Sequence, residues 1–90
     1  MSSNKGIAVG MEDIAGGQQL AGGQNTFFVR GKLAVVKGDP VMPHGEPPHD
    51  MPIMIEASDK FFIQGKPVCR EGDHASCGHT TTGRPFFLIP

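Results

Sequence analysis

The chain has 90 residues, of which 13 are Gly and 8 are Pro, so few windows are free of a helix breaker and a helical bundle is excluded. Leu, Ile, Val and Phe total 21, near the lower edge for burying a core, and so small a domain is expected to need a staple such as a metal or a partner. Eight Lys and Arg against nine Asp and Glu give a formal net charge of −1 with no basic stripe, which removes the electrostatic basis for binding nucleic acid or an anionic membrane. The first ten residues lack the apolar h-region of a signal peptide, and no apolar run is long enough to span a bilayer. The expectation is one domain over residues 1–90, made in the cytoplasm, with Cys69 and Cys77 reduced there rather than paired.

Taken in chain order, Gly6 to Gly10 (GIAVG) is a short apolar strand, and Met11 to Thr26 is a return loop rich in Gly. Phe27 to Asp39 (FFVRGKLAVVKGD) reads as a β-hairpin: a strand, a turn at Arg30-Gly31 where Gly tolerates positive φ, and a second strand ending at Gly38-Asp39. Pro40 to Lys60 is a second return loop. Phe61 to Asp73 (FFIQGKPVCREGD) then repeats the hairpin without a gap at an offset of 34, with six of 13 positions identical. His74 to Pro85 is a third return loop, and Phe86-Phe87-Leu88-Ile89 is aligned with Phe27-Phe28-Val29 as a first strand cut off before its turn. If this last strand pairs with the first, the split third hairpin is completed in space. The predicted fold is therefore all-β, with three hairpin-like repeats about a pseudo-threefold axis and adjacent chain ends. Closure also removes strand edges that would otherwise invite aggregation. Asp39 and Asp73, each after a Gly at a strand end, read as turn residues accepting backbone hydrogen bonds rather than as a catalytic pair.

All four histidines and both cysteines lie between positions 44 and 79. The second return loop carries His44-Gly-Glu-Pro-Pro-His49, and the third carries Cys77-Gly-His79 with His74 just before it. Cys77 and His79, two apart, point the same way in extended chain, and Pro47-Pro48 stiffens the loop that holds the other two. Both loops follow equivalent strands and so leave the same end of the domain. Three imidazoles and a thiolate suit one tetrahedral, structural Zn²⁺ held by His44, His49, Cys77 and His79, with His74 as the reserve ligand. On spacing alone the other reading stays open: solvated loop histidines and a small buried Cys77. Cys69, in mid-strand beside Val68, is assigned to the core. A Cys77 nucleophile with His74 or His79 as base meets the minimal requirement of a thiol enzyme, but no oxyanion motif accompanies it, and no catalytic residue is assigned.

Gly65-Lys66-Pro67-Val68-Cys69-Arg70-Glu71-Gly72-Asp73 resembles the G-K-P-A-A-R-x-G-D signature of the PAAR-repeat proteins, with Val68 and Cys69 in place of the two alanines. Gly31 to Asp39 keeps Gly-Lys, one Ala and Gly-Asp, and the resemblance runs from about Gly6 to Ile89. It implies a small conical β domain, one copy of which caps the trimeric VgrG or phage-type spike β-helix of a type VI secretion system or contractile phage tail. The resemblance further implies a zinc at the apex held by three His and one Cys, which coincides with the set chosen above. Where more usual members place a His in the first return loop, this chain has Met11-Glu-Asp-Ile-Ala-Gly-Gly, leaving His44 and His49 to contribute together. The implied role is export with the spike, transient contact with a target membrane and delivery of effector proteins. With five residues before Gly6 and one after Ile89, a toxic activity is expected on another polypeptide. The Phe27/Phe28, Phe61/Phe62 and Phe86/Phe87 pairs are the candidate spike contacts, one ring of each pair facing out. A free zinc-binding interaction module is the remaining alternative.

Overall fold

Positive φ at both central residues marks the two-residue turn whose twist matches that of paired strands. The computed structural model, which describes residues 4–90, has φ of 51° and 83° at Arg30 and Gly31, and 53° and 76° at Gln64 and Gly65. Eight short strands result: β1 (Lys5–Ile7), β2 (Ile14–Ala15), β3 (Gly17–Gln18), β4 (Phe28–Val29), β5 (Lys32–Leu33), β6 (Phe62–Ile63), β7 (Lys66–Pro67) and β8 (Arg84–Ile89). They pair antiparallel as β2 with β3, β4 with β5, β6 with β7, and β1 with β8. The β1–β8 pair sets Lys5 opposite Ile89, so the two ends of the described chain meet as the repeat predicts. No helix occurs among the described residues, and none is therefore long and apolar enough to cross a membrane.

Beyond the hairpins, the second strand of each repeat runs into a closed ring. The Ala8 N–H donates to the Cys69 carbonyl (3.1 Å), Cys69 to Val35 (2.8 Å) and Val35 back to Ala8 (2.9 Å). A second set repeats the pattern one residue pair away: Gly10 to Leu33, Lys37 to Pro67 and Glu71 to Gly6, at 2.8, 2.9 and 2.8 Å. Bridges Val9–Ala34, Val36–Val68 and Ile7–Arg70 complete the circuit. Every ladder group here finds its partner in another repeat, which leaves no open edge at the ring.

Because side chains alternate along extended chain, the ring divides two apolar clusters. Ile7, Val9, Ala34, Val36 and Val68 face one way with Val29 and Ile89, and Phe27, Phe61 and Phe87 pack against them. Phe27 stacks on Phe61 (5.9 Å between centroids) and meets Phe87 edge-on (5.6 Å), an arrangement aromatic quadrupoles favour. This end is the base. Ala8, Val35 and Cys69 face the other way, toward Ala15, Val41, Met54 and Ala75, with Cys77 packed against them. Between them, Gln19 donates from Nε2 to Thr81 Oγ1 (2.8 Å) and to Met54 Sδ (3.3 Å), joining one equivalent residue from each return loop.

The structure corrects the register of the last repeat. Ile89 opposite Lys5 takes the place of Val29 opposite Lys32 and Ile63 opposite Lys66, so Phe87-Leu88-Ile89, not Phe86-Phe87-Leu88, matches the other two copies. Alternation enforces it: a slip of one residue would turn the buried Ile89 outward. The phenyl pairs divide as predicted into one inward and one outward ring, with Phe28, Phe62 and Phe86 exposed at 53%, 53% and 46%. In register, however, the third outward residue is Leu88 (54%), and Phe86 stands apart beneath the Arg30 guanidinium, 3.8 Å from its ring centroid.

Each repeat ends on a buried aspartate that accepts the backbone N–H of a ring residue. Asp39 Oδ2 takes Val36 (2.9 Å) and Asp73 Oδ2 takes Arg70 (2.8 Å), the turn role assigned from sequence. A third, Asp13, takes Val9 (2.8 Å). Gly38 and Gly72 make the turn at φ of 93° and 92°, whereas the first repeat uses Met11 at 68° and inserts Glu12. Asp73 also receives both arms of Arg70 (3.1 and 3.0 Å), and Asp13 receives Arg84 (3.1 and 2.9 Å), which raises both guanidinium pKa values chiefly through these bonds. Asp39 has no such fork, and burial raises its carboxyl above the usual range. Asp73→Ala, which strands Arg70 and an amide, is expected to cost about 3 kcal/mol in urea unfolding. Asp39→Asn keeps an acceptor and strands no cation, so it costs less. A raised folded pKa means that stability falls as pH rises from the unfolded value of Asp39 through its folded value, and Asp39→Asn removes that fall.

Candidate metal centre

Two tight turns at the apex, one from each of the second and third return loops, carry the four residues singled out by their clustering. In the second loop the His44 N–H donates to the His49 carbonyl (2.9 Å), and the His49 N–H to that of Glu46 (2.7 Å), so the two histidines form the neck of a small closed loop. In the third, the Ala75 N–H donates to His79 O (2.8 Å) and the Gly78 N–H to Ala75 O (3.0 Å), with Gly78 at φ 95°. Cys77 and His79 thus converge through a turn, and the extended chain expected from sequence is not what brings them together. The left-handed conformation of Gly78 does so.

One donor atom from each of His44, His49, Cys77 and His79 lies within 4.8 Å of all the others. The three imidazoles are nearly equidistant, with centroids 5.0, 5.2 and 5.2 Å apart. His44 Nδ1 lies 2.9 Å from the Met42 carbonyl, which can only accept, so that nitrogen carries the proton and Nε2 presents its lone pair inward. Around this Nε2 gather His49 Nδ1 (3.2 Å) and Cys77 Sγ (3.7 Å). His44, His49 and Cys77 are half-buried and His79 is exposed. Converging lone pairs and a thiol, with the outer nitrogen of one ring already committed, form a donor set that can hold a metal ion.

His74, the reserve ligand, stands outside this group. Its Nδ1 and backbone N–H both meet Glu56 Oε1, at 2.7 and 2.8 Å, and these bonds hold the Glu56 carboxyl below its ordinary range. Cys69 is buried in the ring as assigned, its Sγ 3.4 Å from Glu56 O, and burial pushes its thiol pKa far up. Both cysteines are free thiols. The first return loop supplies no ligand, but its Gly16-Gly17 turn lies directly against His44 and His79. That contact is invisible to a search for ligand residues, since glycine has no donor side chain.

A search of curated proteins found no match. The family model for the PAAR motif matches residues 9–82, which takes in both complete hairpins with the Val35 and Cys69 corners of the ring, all three aspartate turns and the four apical donors, and begins just after Ala8. Over that span the chain belongs to the PAAR motif family.

Proposed function

We propose that this protein is the tip of a trimeric VgrG-like spike in a type VI secretion system, non-enzymatic and pinned at its apex by one structural zinc. The observation that carries the reading is the hydrogen-bonded ring of Ala8, Val35 and Cys69, because it gives a single chain the rotational repeat of a trimer. One copy of the chain then fits the flat end of a three-chain β-helix. Exposed Phe28, Phe62 and Leu88 recur at equivalent positions around the base, an apolar surface of the kind that marks an interaction site. Export with the spike places the apex in contact with a target membrane, and any effector is carried as separate cargo.

The donor set suits zinc in character, and the two spacings about His44 Nε2 suit it in size. Bonds of ~2.0 Å to nitrogen and ~2.3 Å to sulfur imply tetrahedral edges of about 3.3 Å between nitrogens and about 3.5 Å from nitrogen to sulfur. The spacings of 3.2 and 3.7 Å about His44 Nε2 are close to both. Four protein ligands close the coordination shell, and the ion supplies a cross-link between the second and third return loops rather than an open catalytic position.

Elemental analysis of purified protein is expected to give one zinc per chain, and His79→Ala and Cys77→Ala to lose both the zinc and most of the thermal stability. A wild type that purifies without metal, or whose melting temperature does not change when zinc is added or removed, would sink the zinc assignment. In the loaded protein neither thiol should react with an alkylating reagent. Chelation should free Cys77 alone, and denaturant should then expose Cys69; a reactive Cys77 before chelation contradicts ligation. Co-purification with a trimeric β-helical spike protein tests the partner, and Phe28→Ser with Phe62→Ser should weaken that binding at least tenfold while leaving the metal in place. Unchanged binding would remove the aromatic contacts from the interface.

A further inference from the structure

Asp13, Asp39 and Asp73 end equivalent turns, so the residues two positions on, Ala15, Val41 and Ala75, are equivalent as well. Opposite them across the apex stand Gly17, Pro52 and His79: Gly17 pairs with Ala15, the Val41 N–H donates to Pro52 O (2.9 Å), and the Ala75 N–H to His79 O (2.8 Å). The place that the third repeat gives to a donor imidazole is filled in the first by a single hydrogen atom. A Cβ at Gly17 would overlap the Met42 carbonyl and lie 2.8 Å from His44 Nδ1. That carbonyl is the one that fixes the His44 tautomer, and Met42 is itself held to β3 through its N–H on Gln18 O (2.7 Å). The adjoining Gly16 is equally confined, its Cβ position overlapping the His79 ring and lying 2.6 Å from His44 Nε2.

We infer that Gly17 is a positioning residue of the metal centre, through which the ligand-free first return loop fixes the Met42 carbonyl and with it the rotation of the His44 ring. The inference rests on the metal-binding reading above. Gly17 suits a test because its φ lies outside the left-handed region, so an added methyl brings steric conflict without backbone strain. Gly38, at φ 93° with nothing within 4 Å of its Cβ position, is the opposite case and serves as the control.

The experiment strips the protein of metal and titrates Co²⁺, following the visible absorption of the tetrahedral ion and the affinity by chelator competition. Gly17→Ala should bind Co²⁺ roughly tenfold or more weakly than wild type, the size of effect seen when a ligand loses its hydrogen-bonding support, and with displaced absorption bands. Gly38→Ala should lose stability but keep the wild-type spectrum and affinity. The gap between the melting temperatures of metal-loaded and metal-free protein gives a readout that general destabilisation does not move, and it should shrink in Gly17→Ala only. Wild-type affinity, spectrum and melting gap in Gly17→Ala would overturn the inference while leaving the metal site standing. A wild-type protein that takes up neither Co²⁺ nor Zn²⁺ would overturn both.

Discussion

Three hydrogen bonds, from Ala8 to Cys69 to Val35 and back, are the constraint on which everything else in this molecule hangs. None joins neighbours in sequence, so the ring closes only when all three repeats are present, and the loop-closure entropy is met in one cooperative step. Once formed, the ring imposes alternation on each of its strands. Ile7, Val9, Ala34, Val36 and Val68, which flank Ala8, Val35 and Cys69, are sent to the base and those three to the apex, which is how so short a chain comes to have two apolar clusters rather than one. The buried aspartates belong to the same device: each returns the chain from the ring to its loop while satisfying an N–H that the turn would otherwise orphan.

The base and the apex solve opposite problems. At the base Phe27, Phe61 and Phe87 pack over the core while only partly buried themselves, and Phe28, Phe62 and Leu88 remain in solvent. Toward the apex Met54, Val41 and Val35 fill the centre of the second cluster, but beside the turns that carry the donors the apolar residues are the small Ala15, Ala75 and Cys77, and there the four donor side chains gather. A metal cross-link contributes most where hydrophobic burial contributes least.

Much of this was legible from residue order. The offset of 34 between FFVRGK and FFIQGK located both hairpins and their turns, and the half-repeats at the two ends located the closure. Histidine and cysteine clustering located the donors, because few other residue types offer a nitrogen or sulfur lone pair. Asp13 was hidden by the inserted Glu12, which breaks the Gly-Asp spacing, and by Met11 standing in the left-handed conformation that Gly38 and Gly72 signal elsewhere. Aligned by identity, the Phe86-Phe87 pair puts the last strand one residue out of register, whereas burial of Ile89 is what decides the pleat. Gly17 was beyond reach for a different reason: its role is the room it leaves, and free room is a property of three dimensions.

The split third repeat has a consequence for coordination chemistry. In a true homotrimer, rotational symmetry would present every side chain three times about the axis, so a single thiolate beside three imidazoles could not occur there. Internal duplication frees the repeats to diverge. Here the second contributes two histidines, the third a cysteine and a histidine, and the first a glycine turn. A four-coordinate centre can therefore sit at the end of a threefold object, because one continuous polypeptide has the outline of a trimer without being bound by its symmetry.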